Sequence, residues 1–265
     1  MNLRLLYKLL LITLLFSSGL ILAGGGFPLL TLCCNPHSGK RKQDLLKTYW
    51  LKVFSAIVGL KITQLGELPK QGALVVSNHI SWLDIIVIGR YLPAYFVAKS
   101  DILNWPVIGY LARQGGTIFI RRGDKQHILA TSEKMLWLLK QQHTIIAFPE
   151  GTTTAGDVVL NFHASLFQPA LLTKTVIQPV AIAYLGEAKH IAPFIGDDEF
   201  VAHLFKMLKL RRVDVQITFL PVINTAGKTR QSVCSESRAV IAATVMPDSS
   251  LSHEAVDYGL IAANS

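Results

Sequence analysis

The sequence predicts an α/β fold: one domain on a mixed sheet with helices on both faces, preceded by an N-terminal membrane-associated helical segment. Three observations carry the prediction. From about residue 60 to residue 245, short β-branched runs alternate with segments of helical period. Leu9 to Leu32 contains no charged residue, and about 20 apolar residues suffice to cross a bilayer. The chain has 265 residues, room for one large core and a short appendage.

Taken in order, residues 1–60 form the N-terminal anchoring and interfacial segment. Arg4 and Lys8 flank the apolar run on one side, and Lys40, Arg41 and Lys42 on the other. A cleaved signal peptide is the rival reading, with "LAGGGF" as a partial cleavage site. The triple glycine and Pro28 also allow a broken, re-entrant helix, and cations at both ends suit a hairpin that keeps both on one side. In "QDLLKTYWLKVFSAIVGLKITQLGEL", Leu45, Leu46, Tyr49, Trp50, Val53, Phe54 and Ile57 recur at helical spacing. That helix either packs on the core or lies in the headgroup region.

Residues 61–247 form the main domain. "GALVVSN", "AYFVAKS", "GTIFIRR", "HTIIAFPEG", "TVIQPVAIAYLG" and "VDVQITFLPVI" read as strands. "WLDIIVIGRYL", "PVIGYLARQG", "KQHILATSEKMLWLLKQQ", "EFVAHLFKMLKL" and "TRQSVCSESRAVIAATV" read as helices. In the basic helix, Leu204, Phe205 and Leu208 are expected to bury. Lys206, Lys209, Arg211 and Arg212 then face either solvent or anionic lipid. Residues 248–265 form a polar tail.

Composition narrows the function. The chain is 51% hydrophobic and 16% charged, against about 25% charged for soluble domains. Its net charge of +9 suits an anionic partner. Apolar sequence accompanies that charge, in place of aromatic-studded basic strands, so the partner is an anionic membrane surface and not nucleic acid. Cys33, Cys34 and Cys234 suggest no disulfide framework. "CCNPH" lacks a second ligand pair at zinc spacing, so no metal is expected.

Two segments carry chemistry. In "SNHISWLD", His79 and Asp84 stand five apart, roughly 140° on an unbroken helix. If His79 occupies the turn before the helix, Asp84 reaches back to its ring, and Asn78 or Ser77 caps the helix. A carboxylate on one ring nitrogen leaves the other as a general base. Two polar residues at a turn satisfy the same pattern. "FPEGTTT", Phe148 to Thr154, offers backbone N–H groups, hydroxyls and one carboxylate after a strand; a solvated turn is the plain alternative. "AGKT" at 226–229 is no phosphate loop, because Val222 stands where its first glycine belongs. There is no G-x-S-x-G.

Together these segments resemble the glycerolipid acyltransferase family over about Leu45 to Val245. Asn78, His79 and Asp84 match its N-H-x4-D block. Gly116, Phe119, Ile120 and Arg122 match G-x-x-F-I-x-R, Phe148 through Thr152 match F-P-E-G-T, and Pro179 marks the fourth block. The resemblance implies an acyltransferase domain that moves a fatty acyl group from acyl-CoA or acyl carrier protein to a lysolipid hydroxyl. Neither cofactor nor metal is needed. His79 then takes the hydroxyl proton and Asp84 orients the imidazole. Arg122, Gly151 and Thr152 hold the headgroup, beside Asn78; Glu150 orients the site. Lys99 either lines the headgroup pocket or is a surface lysine.

The family's commonest pattern continues with Arg after F-P-E-G-T; here that residue is Thr153. His163 and Ser165 likewise stand at usual Lys and Gly positions. The acceptor implied is 1-acyl-sn-glycerol-3-phosphate, giving phosphatidic acid. The departures leave lyso-ornithine lipid or another lysophospholipid as the alternative. A non-catalytic lipid-binding protein and a thioester or lipid hydrolase are rivals from other classes. The location implied is the membrane, with the active domain on its cytoplasmic face.

Overall fold

A computed structural model of the chain describes residues 3–70, 72–121 and 125–246. Arg122 and the tail at 248–265 therefore lie outside the described residues.

Seven strands form the sheet: β1 (Leu60–Gly66), β2 (Leu74–Ser77), β3 (Ala94–Lys99), β4 (Ile118–Ile120), β5 (Thr144–Ala147), β6 (Ile177–Leu185) and β7 (Val213–Phe219). Their order is β1-β7-β6-β2-β5-β3-β4. Only β6 and β7 pair antiparallel; every other neighbour is parallel. The sheet is mixed, as the alternating pattern implies.

Central strands read as continuous apolar runs because both faces are covered. Side chains alternate between the two faces. Val75, Ile146 and Ile182 enter one core, whereas Leu74, Val76, Ile145 and Ala147 enter the other. The first core is roofed by α3 (Pro36–Val58), α4 (Leu83–Gly89) and α9 (Phe200–Lys209). The second is closed by α6 (Lys125–Lys140), α7 (Gln168–Thr173) and α10 (Arg230–Val245). Two short helices, α5 (Ile108–Gln114) and α8 (Ala188–Ile191), follow β3 and β6.

The N-terminal segment differs from its sequence reading in two respects. Its apolar run does not break at the glycines. Helix α1 (Leu3–Ile21) passes through a π-helical turn at Leu22–Gly26 into α2 (Phe27–Cys33). The Phe27 N–H reaches back to the Leu22 carbonyl, and Pro28, with no N–H to give, enters just after this widened turn. The whole run, Leu3–Cys33, is long and apolar enough to cross a membrane. Second, the stretch with the helical pattern runs as far as Leu68, with its apolar spacing ending at Ile57; α3 ends at Val58. Gly59, at φ +90°, caps it in the left-handed conformation, and β1 follows at the edge of the sheet, paired among the described strands with β7 alone.

At the start of α3, Asn35 Oδ1 accepts the Ser38 N–H at 2.8 Å, and Pro36 fills the first turn. The chain doubles back there, so α3 runs antiparallel along α1 and α2. Trp50 Nε1 donates to Leu15 O at 3.0 Å, and Gln43 Nε2 to Phe27 O at 3.2 Å. Phe16, Trp50 and Phe54 pack as rings between the helices. Lys8 is buried, and its ammonium donates to Val58 O at 2.8 Å and Leu210 O at 2.9 Å, terminal carbonyls of α3 and α9. Cations suit helix C-termini, so the start of the hairpin is fastened to the domain.

Candidate active site

Parallel strands β2 and β5 are neighbours, and both motifs leave from their carboxyl ends, where open α/β sheets place ligands. His79 follows β2 in a short loop, and Asp84 lies in the first turn of α4. The break before the helix removes the 140° separation: His79 Nδ1 is 2.8 Å from Asp84 Oδ2.

Asp84 is fully buried. Besides the ring, its Oδ2 accepts the N–H groups of Ile80 (2.7 Å) and Ser81 (2.9 Å). Tyr184 Oη donates to Oδ1 at 2.7 Å. Burial, together with the adjacent Asp84 charge, pushes the Tyr184 phenol well above its ordinary range, so it stays a donor. No side chain caps α4; Trp82 holds the N-cap position. Asn78 instead spans to β6, donating to Ile182 O and accepting from Ile182 N, both at 2.9 Å. It is 1% exposed, so its amide fixes the end of β2 from behind the site.

The second loop is built around Glu150. Its Oε1 accepts the His79 N–H and its Oε2 the Leu160 N–H, each at 2.8 Å. Burial raises the Glu150 carboxyl above its ordinary range, and the two N–H groups oppose that rise. Phe148 stacks on the His79 ring, centroids 4.0 Å apart. Gly151 takes φ +70° at the turn, a conformation open to glycine. Thr154 N donates to His79 O at 2.9 Å, closing one loop on the other.

His79 opens on a cavity of about 780 Å³. Its wall is mostly apolar and comes from every layer: Phe16, Ala23 and Phe27 from the hairpin, Trp50 and Phe54 from α3, Ile86 from α4, Leu111 from α5. Of the residues predicted from sequence, His79, Lys99, Gly151 and Thr152 line this space. Asp84, Glu150 and Asn78 stand behind it. Thr153, His163 and Ser165 also face it. The Thr153 hydroxyl donates to the carbonyl of Phe194, and the Phe194 N–H donates to Ile80 O at 2.9 Å.

Sequence reasoning missed Tyr184 and Phe194, which lie far downstream of both motifs. The one available signal for Tyr184 was a phenol in a strand otherwise too apolar to satisfy it. Held at Nδ1, the imidazole presents Nε2 as a proton acceptor. It makes no hydrogen bond to Ser or Cys among the described residues. The arrangement can therefore do general-base chemistry on a hydroxyl that a substrate brings. Among the described residues no three His, Cys, Asp or Glu side chains group as metal ligands.

A family model described as acyltransferase matches residues 59–183. A lyso-ornithine lipid O-acyltransferase of Pseudomonas aeruginosa is 36% identical over 201 residues, covering 75% of this chain and 78% of that one. The chain belongs to the acyltransferase family. It is an acyltransferase enzyme, which sets aside the non-catalytic lipid-binding reading. The 1-acyl-sn-glycerol-3-phosphate acyltransferase of Neisseria gonorrhoeae is 28% identical over 197 residues, 73% of this acyltransferase and 77% of its own length. The crystal structure of the 1-acyl-sn-glycerophosphate acyltransferase of Thermotoga maritima shares the fold. Its TM-score is 0.66 at 20% identity, over 92% of this chain and 96% of that one. The apolar N-terminal helix and these relatives associate the chain with a membrane.

Proposed function

We propose that this acyltransferase moves a fatty acyl group from acyl-CoA or acyl carrier protein to the free hydroxyl of a lysolipid. The observation that carries the reading is the Asp84-held His79 at the mouth of a large apolar cavity. His79 Nε2 takes the hydroxyl proton while the oxygen attacks the thioester carbonyl. The C–O bond forms as the C–S bond breaks, and the thiolate recovers the proton from His79. Asp84 fixes the tautomer, Tyr184 fixes Asp84, and Glu150 holds the His79 backbone. The acyl chain lies in the cavity. Lys99 and the Gly151–Thr152 turn, with Arg122, hold the headgroup. The thioester donors place this domain on the cytoplasmic face of the membrane.

Thr153 decides the acceptor in this reading. It brings no cation, and its hydroxyl is committed to Phe194. A phosphomonoester dianion loses a partner there; a zwitterionic lyso-ornithine lipid needs none. We therefore favour lyso-ornithine lipid over 1-acyl-sn-glycerol-3-phosphate.

Transfer from an acyl thioester to lyso-ornithine lipid, 1-acyl-sn-glycerol-3-phosphate and lysophosphatidylcholine tests both statements. Lyso-ornithine lipid should give the highest kcat/KM, and Thr153→Arg should move preference toward the phosphate acceptor. Equal or better use of 1-acyl-sn-glycerol-3-phosphate by the unaltered enzyme overturns the choice of acceptor. His79→Ala should lose at least ~10²-fold in kcat, and undiminished transfer sinks the mechanism.

A further inference from the structure

The basic helix α9 buries two of the three residues its sequence pattern assigned to the core. Leu204 and Leu208 pack inward, but Phe205 is 40% exposed and Val201 63%. Val201, Phe205 and Lys209 follow one another at four-residue spacing, so they form one stripe on the outer surface. Lys206 borders it, and Arg211 and Arg212 follow the helix, all exposed. Lys206 pairs with Asp198 at 3.3 Å and Arg212 with Asp214 at 2.7 Å. Lys209 and Arg211 make no ion pair among the described residues.

This face adjoins the apolar hairpin. Arg4 Nη2 donates to Lys209 O at 2.8 Å, and Lys8 Nζ to Leu210 O. Arg4 and Lys8 mark the level at which the uncharged run begins. Just beside them α1 exposes Leu3, Leu6, Tyr7, Leu10 and Leu14 on the side away from the domain. We propose that α9 is a second membrane contact: its outer face rests on an anionic bilayer surface, with Val201 and Phe205 among the acyl chains and Lys209 and Arg211 at the phosphates. Two features select lipid as the occupant: continuity with the lipid-facing leucines of α1, and cations suited to an anionic leaflet.

The contact bears on the site through the inner face of the same helix. His203, 1% exposed, accepts from Trp82 Nε1 at 3.0 Å through Nδ1 and donates through Nε2 toward Ile191 O and Pro193 O, each 3.1 Å away. The next peptide unit is Phe194, which bonds both motif loops. A docked α9 thus holds the cavity mouth against the surface from which a lysolipid enters.

Full-length F205W is compared with the unaltered chain on vesicles of phosphatidylcholine alone and of equal parts phosphatidylcholine and phosphatidylglycerol. The phospholipids are brominated along the acyl chains. Co-flotation reads binding, and the emission added by the substitution reads the position of α9. That emission should be quenched on the anionic vesicles. K209Q/R211Q should reduce partitioning onto them about fivefold per charge removed, with little change on phosphatidylcholine. Vesicles that bind the chain without quenching the added emission overturn the proposal, as does a chain that does not float. K209Q/R211Q that loses transfer from acyl carrier protein alone, with acyl-CoA use and quenching intact, assigns the face to an acidic carrier protein and overturns it as well. Quenching needs no turnover, so it is read even for a chain inactive on every lysolipid tested.

Discussion

Two regions meet at His79 and are held by different forces. Behind the ring, Asp84 and Glu150 between them accept six hydrogen bonds from the protein, from backbone N–H groups, the imidazole and a phenol. In front of it, the wall built by α1 and α3 is held by rings in contact and buried side chains, with the Trp50 indole bond to Leu15 as a rare polar tie. The first region fixes the orientation of one imidazole. The second fixes a volume. Substitutions behind the ring should therefore act on kcat and stability together, and substitutions in the wall on substrate choice alone.

The largest effect should come from Asp84. Asp84→Ala strands two backbone N–H groups, the imidazole Nδ1–H and the Tyr184 hydroxyl, and a buried donor left unmade costs about 1–3 kcal/mol. We expect the chain to lose roughly 3 kcal/mol or more in denaturant unfolding and to retain no measurable transfer. Asp84→Asn keeps the shape, so its loss of at least ~10²-fold in kcat should come with a smaller loss of stability. An Asp84→Asn enzyme of normal turnover would remove the tautomer argument.

Glu150→Gln comes next. The carboxylate accepts N–H bonds at both oxygens, whereas an amide accepts at one and sets its NH2 against the other donor. Removing a buried charge offsets part of that cost, so stability should change by less than about 1 kcal/mol. Loosening the His79 backbone should lower kcat by at least ~10-fold with KM little changed. A rise in KM alone would move Glu150 from positioning to acceptor binding.

How much of this was legible in the sequence follows the same division. His79, Asp84 and the F-P-E-G-T loop were readable because their partners lie close in sequence or in adjacent strands of the same parallel pair. Strands β2, β5 and β6 were readable because burial on both faces makes them continuous apolar runs. Strand β1 was not: only its first residue is buried, and the polar "KITQLG" that follows has no core pattern to announce it. Asn78 or Ser77 was expected to cap α4 because Asn and Ser commonly do; neither does, and a partner 104 residues away took the Asn78 amide instead. Tyr184 and Phe194 were out of reach for the same reason, since their roles exist only once β6 and the loop before α9 are folded beside β2. The roof over the cavity was also hidden, because an apolar run long enough for a bilayer reads identically whether or not it also forms a wall.

The wall region makes the complementary prediction. Ala112 lies on α5 at the cavity surface and takes no part in the hydrogen bonds to Asp84. Ala112→Phe fills volume without touching a polar group. Acyl donors with long chains should lose at least ~10-fold in kcat/KM, while short-chain donors keep theirs. Equal losses for every chain length would mean that the two regions are coupled and that the wall also positions the base.

The smallest effect tests the joint between the regions, where His203 links Trp82 of the wall to the carbonyls before Phe194. Burial holds the imidazole below its ordinary range; the Pro193 and Ile191 carbonyls and the Asp198 charge oppose that shift, and the Lys206 charge adds to it. A folded-state value below the unfolded value of about 6.5 means that the unfolded chain binds the proton first. The stability tied to neutral His203 is therefore complete above about pH 6.5 and drains away as pH falls toward the lower folded value. Protonation also sets a second N–H against the Trp82 N–H, so the lock opens in the same window. His203→Gln can donate to the carbonyls and accept from Trp82 without titrating. Its unfolding free energy should fall less steeply than that of the unaltered enzyme as pH drops from about 6.5 to 5. Parallel curves would show that the joint is held by ring packing with Phe194 and Trp82, which would bring it under the same forces as the wall.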